Sequence, residues 1–122
     1  MAIPVQHPKI DTYGPNNTWV SGVVNGPIVG SIIVDTGALG AGDYDFLCSL
    51  GNSSLQFSPC VLEHRDSANL ITLNTIPIVT EQESPQHLIG RITLAANERI
   101  RMVATAIAIG TVRGAIMYRQ IG

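Results

Sequence analysis

From Thr18 onward the chain reads as short runs of β-branched, aromatic and aliphatic residues, cut by Gly, Pro, Asn and Asp at intervals of roughly 8–14 residues. That rhythm belongs to a β-sandwich or barrel. Eight runs stand out: Thr18–Val24, Val29–Asp35, Asp43–Leu50, Pro59–His64, Ile71–Val79, His87–Leu94, Arg99–Ile109 and Val112–Gln120. In DYDFLCSL, Tyr44, Phe46, Cys48 and Leu50 share one face while Asp43, Asp45 and Ser49 take the other, with Leu47 the exception. Period two over this length predicts a half-buried strand. HLIGRITL repeats the pattern, with Leu88, Ile92 and Leu94 set against His87, Arg91 and Thr93, and Gly90 marking a gap or bulge. Val112, Ile116 and Tyr118 alternate with Arg113 and Arg119 in the same way.

One stretch carries two periods at once. Ile100, Val103, Ala104 and Ile107 fall at helical spacing in an alanine-rich context, whereas Arg99 and Arg101 alternate with Ile100 and Met102. No cap of the usual kind closes a helix there before Gly110, so the alternation decides for a strand. Residues 1–17, with Pro4, Pro8 and Pro15 and neither period, predict an extended arm. The expectation is an all-β protein: arm 1–17, then a single domain, 18–122, built as an eight-stranded antiparallel β-sandwich. A jelly roll is the leading arrangement among Greek-key sandwiches.

Composition narrows the function. At 122 residues one domain is the default. Hydrophobic residues make up 45% of the chain and charged ones only 13%, so part of the apolar surface calls for a partner. Seven Lys plus Arg and a net charge of -2 supply no basic field for a phosphate backbone, and nucleic acid is not an expected partner. No leader with a charged start and an apolar core opens the chain, and no apolar run approaches the ~20 residues of a membrane span, so neither that export route nor a membrane is expected. Cys48 and Cys60 lack CxxC spacing and read as small buried hydrophobes made in a reducing compartment.

The sharpest catalytic signal is Ile32-Ile33-Val34-Asp35-Thr36-Gly37-Ala38, the strand-then-Asp-Thr-Gly-Ala pattern of retropepsin-like aspartic proteases, with His87-Leu88-Ile89-Gly90-Arg91 a faint echo of that family's later segment. Such chemistry needs two carboxylates sharing a proton, one Asp35 from each of two subunits, with Thr36 and Gly37 shaping the loop. No glycine-rich apolar hairpin lies between the two segments to serve as a flap. Asp-Thr-Gly after a strand is also a common turn. His7, His64 and His87 stand apart and predict no metal site, and no phosphate or dinucleotide motif calls for a cofactor. A carbohydrate-binding surface would need exposed aromatics, of which Trp19 and Tyr13 are the sole candidates.

Two mixed-charge clusters remain, Glu63-His64-Arg65-Asp66 and Asn97-Glu98-Arg99-Ile100-Arg101. Pairs of this kind set register and partner choice more than stability. Together with Ala41-Gly42-Asp43-Tyr44-Asp45-Phe46, Ser67-Ala68-Asn69, Leu94-Ala95-Ala96 and Gly110-Thr111-Val112-Arg113-Gly114-Ala115-Ile116, their order resembles the small jelly-roll decoration, or cement, proteins of tailed-bacteriophage heads. The likeness spans about residues 41–117. It implies a structural virion protein, made in the host cytoplasm and carried on the outer capsid surface. Its implied partners are the major capsid protein and two further copies of itself in a homotrimer. The expected contact residues are His7 and Ile10 on the arm, Trp19, Glu63, Arg65, Asp66, Glu98, Arg99 and Arg101.

Overall fold

A computed structural model describes residues 18–53, 58–80 and 86–122; the arm 1–17, with His7 and Ile10, lies outside the described residues. Each of the eight expected runs forms a strand: β1 Thr18–Asn25, β2 Ile32–Asp35, β3 Gly42–Asn52, β4 Ser58–Arg65, β5 Thr72–Thr80, β6 Gln86–Leu94, β7 Arg99–Ala104 and β8 Thr111–Gln120. Two runs are shorter than their apolar content implies. Residues 29–31 belong to a turn in which the Ser31 N–H donates to the Ile28 carbonyl at 3.0 Å, and residues 105–109 leave the strand before Gly110. The doubly periodic segment is a strand, with Ile100 and Met102 buried and Arg99 and Arg101 on the opposite face.

The strands form two antiparallel four-stranded sheets, ordered β1-β8-β3-β6 and β2-β7-β4-β5. This is the jelly-roll order, in which every connection except the β4–β5 hairpin crosses from one sheet to the other. Alternation then builds the core directly. Tyr44, Phe46, Cys48 and Leu50 of β3 and Val112 and Ile116 of β8 meet Leu62 of β4 and Ile100 and Met102 of β7. Tyr44, Phe46 and Tyr118 make an aromatic cluster with ring centroids 5.9–6.0 Å apart. The expected irregularity at Gly90 is present: Gly90 has φ 104° and the register against β3 shifts there, so that Ile92 lies opposite Tyr44 but Leu88 opposite Leu47.

The two long sides of the sandwich differ. Gly22 and Gly114 are register partners on β1 and β8 and turn their missing side chains toward β2. A Cβ on Gly22 would overlap the Ile33 carbonyl oxygen, and one on Gly114 would lie 2.7 Å from Met102 Sδ and 2.9 Å from Ile33 Cγ2. At Gly22 backbone meets backbone, and at Gly114 backbone meets the side chains of the facing sheet. On the far side, β6 stands over β5 without closing, and a cavity of about 170 Å³ remains between the sheets.

Candidate functional site

The two charged clusters, far apart in sequence, become neighbours through the β4–β7 register, which sets Glu63 opposite Arg101, His64 opposite Ile100 and Arg65 opposite Arg99. On the outer face of the second sheet, Arg101 Nε donates to Glu63 Oε1 at 2.6 Å and Arg99 donates to Asp35 Oδ2 at 3.4 Å. On the inner side, His64 Nε2 lies 2.8 Å from Glu98 Oε1. Glu98 also accepts the Ala95 N–H at 2.8 Å. That backbone donor first, and His64 second, hold its carboxyl below the usual range. An ionised carboxylate only accepts, so His64 donates through Nε2, and in the neutral ring Nδ1 is left as an acceptor.

Arg65 and Asp66 serve one loop. Arg65 donates to Asn69 Oδ1, the Asn69 carbonyl and Thr72 Oγ1 at 2.9, 2.7 and 2.7 Å. Asp66 Oδ1 accepts the N–H groups of Leu70 and Ile71 at 2.7 and 3.0 Å, and these backbone donors, Ile71 foremost, lower its pKa. The loop so braced displays Leu70, 77% exposed, beside exposed Ile71 and Leu73. The charged residues expected as contacts thus have their partners within the chain, and two of them hold an apolar loop in place.

Asp35, Thr36 and Gly37 close β2 as a turn. Asp35 Oδ1 accepts the Gly37 N–H at 2.7 Å while Oδ2 faces Arg99, so both oxygens are engaged. The Thr36 N–H donates to the Ile100 carbonyl, and Thr36 Oγ1 accepts the Ile100 N–H, tying the turn to β7. The later segment of the protease-like pattern lies on β6, in the other sheet.

Asp45 corrects a simple reading of its strand. It lies on the outward face as the alternation requires, yet it is fully buried, flanked in register by Arg91 of β6 and Arg119 of β8. Arg91 Nε donates to Asp45 Oδ1 at 3.1 Å, while Asp45 Oδ2 and Arg119 Nε have no hydrogen-bond partner among the described residues. Trp19, opposite Met117 on β1, is half exposed and belongs to this first sheet, away from the charged clusters.

Sequence reasoning missed a second exposed apolar surface. The β1–β2 and β7–β8 connections meet at one end of the sandwich, through the Gly26 N–H on the Gly110 carbonyl, the Ala108 N–H on the Pro27 carbonyl and the Gly30 N–H on the Ala104 carbonyl, at 2.8–3.0 Å. They present Ile28, Val29, Ile107 and Ile109, each 62–74% exposed, with no charged residue in either connection. The signal was there in GPIVGS and TAIAIG, uncharged aliphatic stretches bounded by glycine, but it reads equally well as strand.

Cys48 and Cys60 are free and buried in the core, from facing sheets. Burial pushes the Cys48 thiol up to about 12, with Cys60 adding to it, and Cys60 up to about 11. Neither ionises near neutrality, so both pack as the small hydrophobes expected of them. No helix among the described residues is long and apolar enough to cross a membrane.

No family model and no curated protein matches the chain. Among solved structures, a carbohydrate-binding module from Cellvibrio mixtus lichenase 5A, in complex with cellotriose, is similar at 12% identity and a TM-score of 0.46, over 88% of this chain and 89% of that one.

Proposed function

We propose that this chain is a structural binding protein: a homotrimeric decoration, or cement, protein that binds the major capsid protein on the outer surface of an assembled tailed-phage head. The observation that carries the reading is the aliphatic end formed by Ile28, Val29, Ile107 and Ile109. Four large apolar side chains on two cross-braced connections are expensive to leave in water and are pre-ordered for contact, so little entropy opposes their burial. Burying each one contributes about 1.5–3 kcal/mol before the costs of association. Three copies in a trimer multiply weak contacts through effective concentration. The Asp35 turn, with both carboxylate oxygens engaged in the chain, favours a binding role over hydrolysis.

The test is co-sedimentation with assembled heads and with unassembled capsid protein, alongside the solution mass by light scattering. Binding to heads alone and a mass of three chains support the proposal. The double variant Ile28→Ser/Ile107→Ser is expected to keep its melting temperature and lose head binding. Equal binding to unassembled capsid protein, a mass of one or two chains, or undiminished binding by the variant would overturn it.

A further inference from the structure

We propose that the cavity between β5 and β6 binds a compact neutral alcohol or phenol. Its volume is about 170 Å³, and a dry cavity of roughly 150 Å³ is enough to take a benzene ring. Strand alternation sets its lining. Leu62 and His64 of β4, Asn74 and Ile76 of β5 and Ile92 of β6 share the inward faces of their strands, and Ile100 of β7 is the register partner of His64. The floor is aliphatic: Leu62 and Ile100 are fully buried, and Ile76 and Ile92 pack partly buried against the same core. Water gains nothing from such a floor, whereas an apolar body does.

Two neutral polar side chains select the head of the ligand. His64 and Asn74 are register partners on β4 and β5, where directly opposed side chains start about 5 Å apart. His64 donates through Nε2 to Glu98 at 2.8 Å, which leaves Nδ1 of the neutral ring as an acceptor. Asn74 Oδ1 accepts the Thr75 N–H at 2.9 Å, which leaves the Asn74 amide as a donor. A hydroxyl accepts from an amide and donates to an imidazole, so the pair fits an alcohol or phenol on an apolar body. Charged heads find no counterpart there. Arg91 borders the cavity from the edge strand, but its Nε is bonded to Asp45 on the outer face of the first sheet, and the Glu98 carboxylate beyond His64 repels an anion. A cation would exchange its water for an aliphatic floor. The cavity shares no residue with the aliphatic end assigned to capsid contact, so either assignment can fail without the other.

The experiment is an NMR titration of the full chain with phenol, toluene and benzoate, in mildly alkaline buffer that keeps imidazole neutral. Saturable methyl shifts at Leu62, Ile76, Ile92 and Ile100 are expected with phenol, and benzoate is expected to bind more weakly. The nitrogen resonance of His64 Nδ1 should move with phenol and stay in place with toluene, which has no proton to donate. Losing one neutral hydrogen bond predicts about fivefold weaker phenol binding by Asn74→Ala with toluene binding unchanged. Ile92→Phe fills the space and is expected to weaken phenol and toluene alike, by about tenfold or more. Asn74 is exposed, so its variant keeps the test intact should Ile92→Phe disturb the fold. Benzoate binding as tightly as phenol, a His64 Nδ1 resonance unmoved by phenol, undiminished phenol binding by Asn74→Ala, or no saturable shift with phenol would overturn the site.

Discussion

The two long sides of this sandwich solve the same problem in opposite ways. Along β1, β8 and β2 the sheets are drawn together until Gly22 touches the Ile33 backbone and Gly114 touches Met102 and Ile33. Along β5 and β6 they stay apart, and four aliphatic side chains line a space that none of them fills. The difference shows that a glycine within a strand can be a packing requirement, since the closed side has no room for a side chain at Gly22 or Gly114, while the open side keeps volume to spare.

The comparison breaks first at Gly22. Gly22→Ala puts a methyl group into a backbone carbonyl that cannot rotate away, and the expected cost is about 3–5 kcal/mol, read as a fall in the denaturant midpoint at unchanged slope. Gly114→Ala meets the flexible end of Met102 as well as Ile33, so a smaller cost of about 1–3 kcal/mol is expected in the same measurement. The opposite side should tolerate far more added carbon. Ile92→Phe is expected to stay within about 1 kcal/mol of the parent, because the larger side chain grows into the cavity. A cost for Ile92→Phe matching that of Gly22→Ala would show that the two sides are packed alike.

The pair of Glu98 with His64 adds the smallest effect. Glu98 has a folded pKa below its unfolded value, so its contribution is fully present above the ordinary carboxylate range and is lost as pH falls through the folded value. Glu98→Gln is therefore expected to lower the melting temperature at neutral pH, by under about 1 kcal/mol of stability, and to converge with the parent below about pH 4. A gap between the two proteins that persists in acid would assign the effect to packing and not to charge.

What was legible in the sequence followed from local rules. DYDFLCSL and the Val112–Tyr118 alternation name the inward faces, because a strand side chain has only two directions to choose from, but on β8 Ala115 and Met117 of the other face are buried as well. The polar clusters around Glu63 and Glu98 were visible as clusters, but their pairing was not, since Arg101 finds Glu63 only once β4 and β7 are in register. Asp45 was assigned the right face and the wrong environment: arginines from two other strands close over it. Val29–Ser31 and Thr105–Ile109 carry the apolar content of strand ends, and only the cross-braced turns show Ile28, Val29, Ile107 and Ile109 facing water.

By itself, then, the sequence determined the all-β class, the number of strands and the inward set of side chains, because alternation and turn residues act over a few bonds. The tertiary structure alone decided the jelly-roll strand order, the glycine seam, the cavity opposite it and the pairing of the charged clusters. Each of these depends on which distant segments come to lie side by side, and no local period along a chain encodes that.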